Sequence, residues 1–514
     1  MVALALVGLL AARAVAAADL AAVCEKKKLG VAASATSTML RCASAAAGRG
    51  TAIDAACLAT AESRLEPPFS TAEVSGACPT SGAQEVAAAA RTLAEDLRSA
   101  VGTAPSTCAR KKLLAAGKRA KKRLQAEGKH ATRPELEQLG PLLAKMETGF
   151  AAAMAKAELI GDCPILGDAG PIAATVDGGA TAVVDAVRGT LRVLAHARGV
   201  SIGAALRDGP LSAGEVAYAD TAVRQFDSVT PEFQFMWGNV EPVQGTLNLA
   251  PVDVVVDFAE QHGLDLMGSP LVWHLILPPW VAPLAPAALE NALTTRIQTL
   301  LGLYGDRVDS WVVVNEAISD SGPTLRTTIF LQKLGSGYIA QAFHLARQAD
   351  PTATLYINDY GIEQQGPKSD TLYDLVAELK QQGVPIDGVG FQMHTGRFFG
   401  IPIKPLVQAN IQRFVALGLV VRITEMDMQI DGNPFPTEPG ERASALALQR
   451  QYYRDLVEAC VEIAGCVGVD FWGFTDKYTW VNDYLLLDDE PLPFDAGYRP
   501  KAAFFGVRDA LLGP

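Results

Sequence analysis

Trp311-Val-Val-Val-Asn-Glu316 is a run of β-branched residues behind a tryptophan, and it ends abruptly in two polar side chains. A stretch apolar at every position reads as a parallel strand filled on both faces, which delivers Asn315 and Glu316 at its C-terminal tip. That tip is where an α/β barrel keeps its chemistry. A second run of the same design, Leu419-Val-Val-Arg-Ile-Thr-Glu425, ends in Glu425, 109 residues after Glu316. Two strand-end glutamates in one chain point to a paired-carboxylate glycosidase, in which one group protonates the leaving oxygen and the other attacks the sugar.

Outward from this strand, short β-branched runs alternate with amphipathic stretches such as 330–349 and 443–464. The predicted strands are 200–205, 228–230 with the segment to Trp237, 264–273, 310–315, 354–358, 388–392, 420–424 and 469–474. Eight βα repeats over 187–514 predict an α/β fold, a (β/α)8 TIM barrel. An open doubly wound sheet would need a Gly-rich phosphate loop, and the sequence has none where it would fall. Most strands end in polar or aromatic residues: Glu232; Trp273 and His274; Asn358 and Asp359; Gln392 and His394; Trp472, Asp476 and Trp480. Singly, an Asn caps a helix and a Trp fills a core. Together they form a rim on which sugar rings can stack while their hydroxyls find carboxylates and amides.

The chain has 514 residues, 49% hydrophobic and 19% charged, which suits two domains. The net charge of −12 is uneven. Residues 1–185 carry 21 basic and 18 acidic side chains, whereas 186–514 carry 23 and 38. So acidic a larger part argues against a nucleic-acid substrate, while a neutral polysaccharide makes no charge demand. Residues 1–18, an apolar run passing into Ala14-Val-Ala16 and Ala16-Ala-Ala18, read as a signal peptide, although no Lys or Arg precedes the run; the competing reading is an ordinary buried helix. Export to the cell surface, the periplasm or the medium is therefore expected, as a soluble monomer.

Six of the eight cysteines precede residue 164, and their spacing reveals a repeat. Cys24-Glu-Lys-Lys-Lys-Leu and Cys108-Ala-Arg-Lys-Lys-Leu open two copies, which close at Cys78 and Cys163. Cys42 and Cys57 have no counterparts in the second copy, so they are expected to pair with each other, leaving Cys24–Cys78 and Cys108–Cys163. Metal binding is the rival reading, but no CxxC or Cys/His cluster supports it. Residues 24–163 thus predict a small disulfide-stapled α-helical repeat region. The basic run Arg110, Lys111, Lys112, Lys118, Arg119, Lys121, Lys122 and Arg123 reads as a solvated helix face, with an anionic cell-surface partner as the alternative. The Gly-, Ala- and Pro-rich stretch 164–186 reads as a linker.

Over about 195–510 the sequence resembles glycoside hydrolase family ten, the retaining endo-β-1,4-xylanases. The matching stretches are Val229-Thr-Pro-Glu232, Leu271-Val-Trp-His274, Trp311 to Glu316, Asn358-Asp-Tyr360, Gly388 to His394, Ile423-Thr-Glu-Met-Asp427, Trp472 to Trp480 and Pro500-Lys501. The resemblance implies Glu316 as acid/base, Glu425 as nucleophile, and His394 with Asp427 supporting Glu425. It implies that Asn315 contacts the 2-hydroxyl of the reacting sugar, and that Glu232, Trp273, Gln392, Trp472 and Trp480 bind substrate. It further implies a Cys460–Cys466 disulfide and no metal or organic cofactor. The departures cluster on the glycone side. Where the family carries Asn and Lys after Glu232, this chain has Phe233 and Met236; a His and a Gln are replaced by Ser269 and Ile276; an Asn is replaced by Gly361. Three functions follow: a xylanase acting on xylan, the same mechanism on another β-linked glycan, or a non-catalytic glycan-binding protein of the cell surface.

Overall fold

The computed structural model describes residues 2–73, 82–431 and 441–513, the first eighteen of them as backbone only. The chain divides into two compact units, one reaching Thr190 and the other spanning Leu191–Gly513. No helix among the described residues is long and apolar enough to cross a membrane.

The first unit is helical: Val2–Arg49, Ala55–Glu62, Glu66–Glu73, Ala83–Ala100, Thr107–Thr132, Leu139–Glu158 and Ala169–Arg188. Asp54 and Ser106 cap two of these helices by accepting from Ala56 N and Ala109 N at 2.9 Å, which satisfies otherwise orphaned donors. Small residues let the two long helices run close together. Ala32, Ala43, Ala47, Ala109, Ala116 and Ala120 are all buried in one core, and a Cβ on Gly128 would lie 3.2 Å from the Lys26 Cα. Cys42 is joined to Cys57 and Cys108 to Cys163. The expected Cys24–Cys78 pairing involves Cys78, outside the described residues.

Two expectations for this unit are corrected. Residues 169–188 of the supposed linker region are helical, with Ile172, Val176, Val183, Val184 and Val187 buried in the same core. This helix corresponds to Ala83–Ala100, so the repeat has a third element: Val86, Ala90 and Leu97 match Ile172, Val176 and Val183 at an offset of 86. Its Gly178-Gly179, which reads as loop, allows close packing, because a Cβ on Gly179 would collide with Leu93. The basic run is not simply a solvated face either. Lys112 and Arg119 are buried; Lys112 pairs with Glu158 at 2.8 Å and with Asp168, and Arg119 with Asp177 at 2.7 Å. The first copy repeats the pattern with Lys28 on Glu73 at 2.6 Å.

The second unit is a closed parallel barrel. Its strands are β1 (Ser201–Leu206), β2 (Ser228–Pro231), β3 (Asp265–Gly268), β4 (Ser310–Asn315), β5 (Thr354–Asp359), β6 (Gly388–Phe391), the two-residue β7 (His394–Thr395), β8 (Val420–Met428) and β9 (Cys466–Phe471). β1 to β6 follow in order, β6 pairs with β8, β8 with β9, and β9 with β1, closing eight strands, while β7 lies on the upper part of β8. Helices such as Ala250–His262, Pro286–Tyr304, Pro367–Gln381 and Arg442–Val461 cover the outside. Both faces of β4 are buried, the pattern its β-branched run implies. Cys460 is joined to Cys466, the first residue of β9.

The predicted strand 264–273 is interrupted. Ladder pairing of β3 stops at Gly268, Ser269-Pro270 breaks it because proline has no N–H to donate, and bonding to β4 resumes with Leu271 N on Val312 O at 2.9 Å. β8 runs further than predicted, through Glu425 to Met428, with its register against β9 shifting between Ile423 and Met426. At the N-terminal end the strands are tied in pairs. Asp227, before β2, accepts from Ile202 N of β1 at 2.9 Å. Asp309, before β4, accepts from Leu266 N of β3 at 2.7 Å, and Asp387, before β6, from Leu355 N of β5 at 2.9 Å. The fourth pair is tied by Arg422 of β8 on Asp470 of β9, 2.8 Å from Nη2 to Oδ1.

Candidate active site

The C-terminal ends of β4, β5, β6 and β8 bring five polar side chains into one buried chain of hydrogen bonds. Asn315 Nδ2 donates to Glu316 Oε1 at 3.3 Å. Asn358 Nδ2 donates both to Asn315 Oδ1 at 2.8 Å and to Glu425 Oε1 at 2.7 Å. Gln392 Nε2 reaches Asn315 Oδ1 at 3.2 Å and Glu316 Oε1 at 3.3 Å. A single amide thus links the two glutamate branches, and Thr424 Oγ1 fixes its orientation by donating to Asn358 Oδ1 at 2.7 Å. Gly390 is required here, since a Cβ at that position would collide with Asn358 Oδ1.

Glu316 and Glu425 are each only 8% exposed. Burial pushes the Glu316 carboxyl up and the charge of Glu425 adds to the rise, while Trp273, Gln392 and Arg326 oppose it. The backbone of Glu316 is left-handed, φ +57°, and that of Met393, just before His394, is φ +63°. Such angles cost bulky residues energy and persist only where the surroundings impose them. The N–H of Glu316 is held by Asn358 O at 2.8 Å.

On the other side, His394 lies between Asp427 (Nδ1 to Oδ2, 2.9 Å) and Glu425 (Nε2 to Oε2, 3.3 Å). Burial alone would lower the imidazole, but Asp427 and Glu425 outweigh it and raise the group to about 10. A doubly protonated ring donates to both carboxylates and presents Glu425 with a positive charge. Trp480 Nε1 donates to Asp427 Oδ2 at 2.6 Å, and its ring centroid is 5.1 Å from that of His394.

Trp273 lies partly buried beside Glu316, close enough for its indole N–H to help hold the Glu316 carboxyl down. Trp472 meets Phe233 edge-on at 6.2 Å. Glu232 is buried and gripped by Arg207, Nε to Oε2 at 2.7 Å and Nη2 to Oε1 at 3.0 Å. Sequence reasoning singled out Asn358 as a strand-end residue without assigning it to Glu425, and it missed Arg207 altogether. The altered glycone residues separate in space. Met236 and Ser269 are buried, Ser269 donating to the Pro231 carbonyl, so neither forms part of the rim; Phe233 does line a cavity at the rim. Opposite, Phe399 lies 6.0 Å from Tyr360 and 5.8 Å from His394, ring to ring, with exposed Phe398 beside it.

With this arrangement in view, residues 190–510 match the family model described as glycosyl hydrolase family 10. Endo-1,4-beta-xylanase B of Thermotoga neapolitana is 37% identical over 324 residues, 62% of this chain and 91% of that one. Endo-1,4-beta-xylanase A of Phanerodontia chrysosporium is 36% identical over 324 residues, 62% of this chain and 76% of the other. Among solved structures, xylanase 10B from Thermotoga petrophila RKU-1 in complex with xylobiose superposes with a TM-score of 0.59 at 35% identity, covering 63% of this chain and 97% of its own.

Proposed function

The chain belongs to glycosyl hydrolase family 10 and is a xylanase-like glycoside hydrolase, and we propose that it cleaves β-linked xylan with retention, Glu425 acting as nucleophile and Glu316 as acid/base. Glu425 attacks the anomeric carbon while Glu316 passes its proton to the departing glycosidic oxygen. A glycosyl ester on Glu425 results, and water deprotonated by Glu316 then opens it. The observation that carries this reading is the asymmetry of the pair: burial favours the protonated form of Glu316, whereas Glu425 faces the His394 imidazolium and the Asn358 amide. Esterification of Glu425 removes the charge that helps keep Glu316 protonated, so the same group becomes the base of the second step. Asn315, hydrogen-bonded to Glu316, is the residue proposed to meet the sugar 2-hydroxyl. Trp273, Gln392, Trp472, Trp480 and Glu232 bind the remainder of the chain.

Labelling with a 2-deoxy-2-fluoro xylobioside followed by peptide mapping tests the mechanism. The label is expected on Glu425, and label elsewhere or none at all removes the assignment. A second reading, another β-linked glycan, is favoured by Phe233 on the rim where the family offers an amide. Export is proposed from the disulfides of both units, which suit an oxidising compartment. The helical repeats are proposed as a spacer or attachment module.

A further inference from the structure

On the Phe233 side of the rim lies a cavity of about 870 Å3. Four of its lining side chains are aromatic, Phe233, Tyr478, Trp480 and Tyr484, and Tyr484 is 77% exposed. Trp480 is shared with the support of the nucleophile through its bond to Asp427. Such a volume encloses a sugar ring together with a sizeable substituent.

The polar side chains of the wall are already directed at protein partners. Arg207 spends Nε and Nη2 on Glu232 and Nη1 on Asp483 at 2.6 Å. Gln234 Nε2 donates to Asp208 at 2.8 Å, Asn239 Nδ2 to the Phe233 carbonyl at 2.8 Å, and the Tyr478 hydroxyl to Glu215 at 2.6 Å. Arg207 is therefore outnumbered by carboxylates, and the wall is net negative. A ring rich in hydroxyls finds acceptors on Asp208 and Asp483 but few uncommitted donors, and a uronate meets repulsion. An uncharged aromatic group meets stacking surfaces and loses no hydrogen bond.

The geometry points to a glycone-side subsite for an uncharged aromatic acyl ester carried on the glycan. This rests on the proposed glycosidase reading. Phe233 and Tyr484 are the specificity residues of the subsite, and the hydrolytic step at Glu425 is unchanged.

The test compares the full-length protein on three xylo-oligosaccharides of equal length: one bearing a hydroxycinnamoyl ester, the same compound after mild alkaline deacylation, and one bearing a uronic acid. Fluoro-xylobioside labelling of Glu425 is followed in parallel. The acylated compound is expected to show about tenfold higher kcat/KM than the deacylated one, with the uronate-bearing compound the poorest. Tyr484→Ala and Phe233→Asn are each expected to abolish the acyl preference while Glu425 remains the labelled residue. Equal kcat/KM on acylated and deacylated compounds, a preference for the uronate, or an acyl preference that survives both substitutions overturns the subsite if Glu425 is labelled. Failure to label Glu425 overturns the glycosidase reading itself.

Discussion

The helical unit and the barrel both bury charge, and they do opposite things with it. In the helical unit buried lysines are set against carboxylates, Lys28 on Glu73 and Lys112 on Glu158 and Asp168. The pattern recurs in both copies of the repeat. At the mouth of the barrel, Glu316 and Glu425 share one hydrogen-bond chain while their charges repel, and Glu316 is held at a left-handed backbone angle. Charge cancelled inside a fold holds it together, whereas charge left partly uncancelled is available for reaction.

The sharpest way to break this contrast is Glu425→Gln. It is expected to reduce kcat by roughly 10^4-fold or more with only a small change in thermal stability, since the repulsion from Glu316 and the attraction to His394 are removed together. Steady-state kinetics and a melting curve on the same sample check both halves. Glu316→Gln should cost about 10^2–10^4-fold on xylan but far less on an aryl glycoside whose leaving group needs no proton. In the helical unit the balance reverses. Lys112→Met strands buried Asp168 and should destabilise that unit by about 3–5 kcal/mol, seen in its urea midpoint, with kcat/KM of the barrel unchanged.

Smaller effects sharpen the picture. The His394 group, 6.5 when unfolded and about 10 when folded, contributes stability that is fully present below about pH 6.5 and is lost as pH rises through about 10. The melting-temperature gap between wild type and His394→Gln should therefore be widest at pH 6 and narrow towards pH 10. Trp273→Phe removes an influence that lowers Glu316, so the basic limb of the kcat/KM profile should move upward, by less than about one pH unit. The least effect is expected from exposed Lys122→Glu, within about 0.5 kcal/mol; a large loss of stability there would mean that the basic run is internal throughout.

The barrel and its two glutamates were legible because parallel strands buried on both faces carry a distinctive run of β-branched residues, and the residue that ends the run stands at the rim. The amide link was harder to read. Asn358 ends its own strand like a helix cap, and its bond to Glu425 arises only from the pairing of β5 with β6 and β6 with β8. Arg207 follows β1 without any local signal of its reach to Glu232. The helix Ala169–Arg188 was hidden by glycines that serve packing. Met236 and Ser269 were misplaced onto the rim because alternation no longer tells inside from outside once a strand has ended.

The ties at the barrel's other end divide the cylinder into four two-strand staves: β1 with β2, β3 with β4, β5 with β6, β8 with β9. Three of the ties are carboxylates reaching the neighbouring strand, while Arg422 extends the fourth across the seam to Ser201 of β1 at 3.2 Å and Ser228 of β2 at 2.7 Å. The seams between staves carry side-chain bonds as well as backbone bonds and packing: Ser228 Oγ donates to Asp470 Oδ1 at 2.8 Å between the first and last staves, and Asn358 bridges Asn315 and Glu425 at the rim. Glu316 closes one stave, Asn358 and Gln392 belong to the next and Glu425 to the one after, so the proposed reacting pair comes together only when two seams shut. The proposed reacting pair therefore depends on the seams on both sides of the β5–β6 stave.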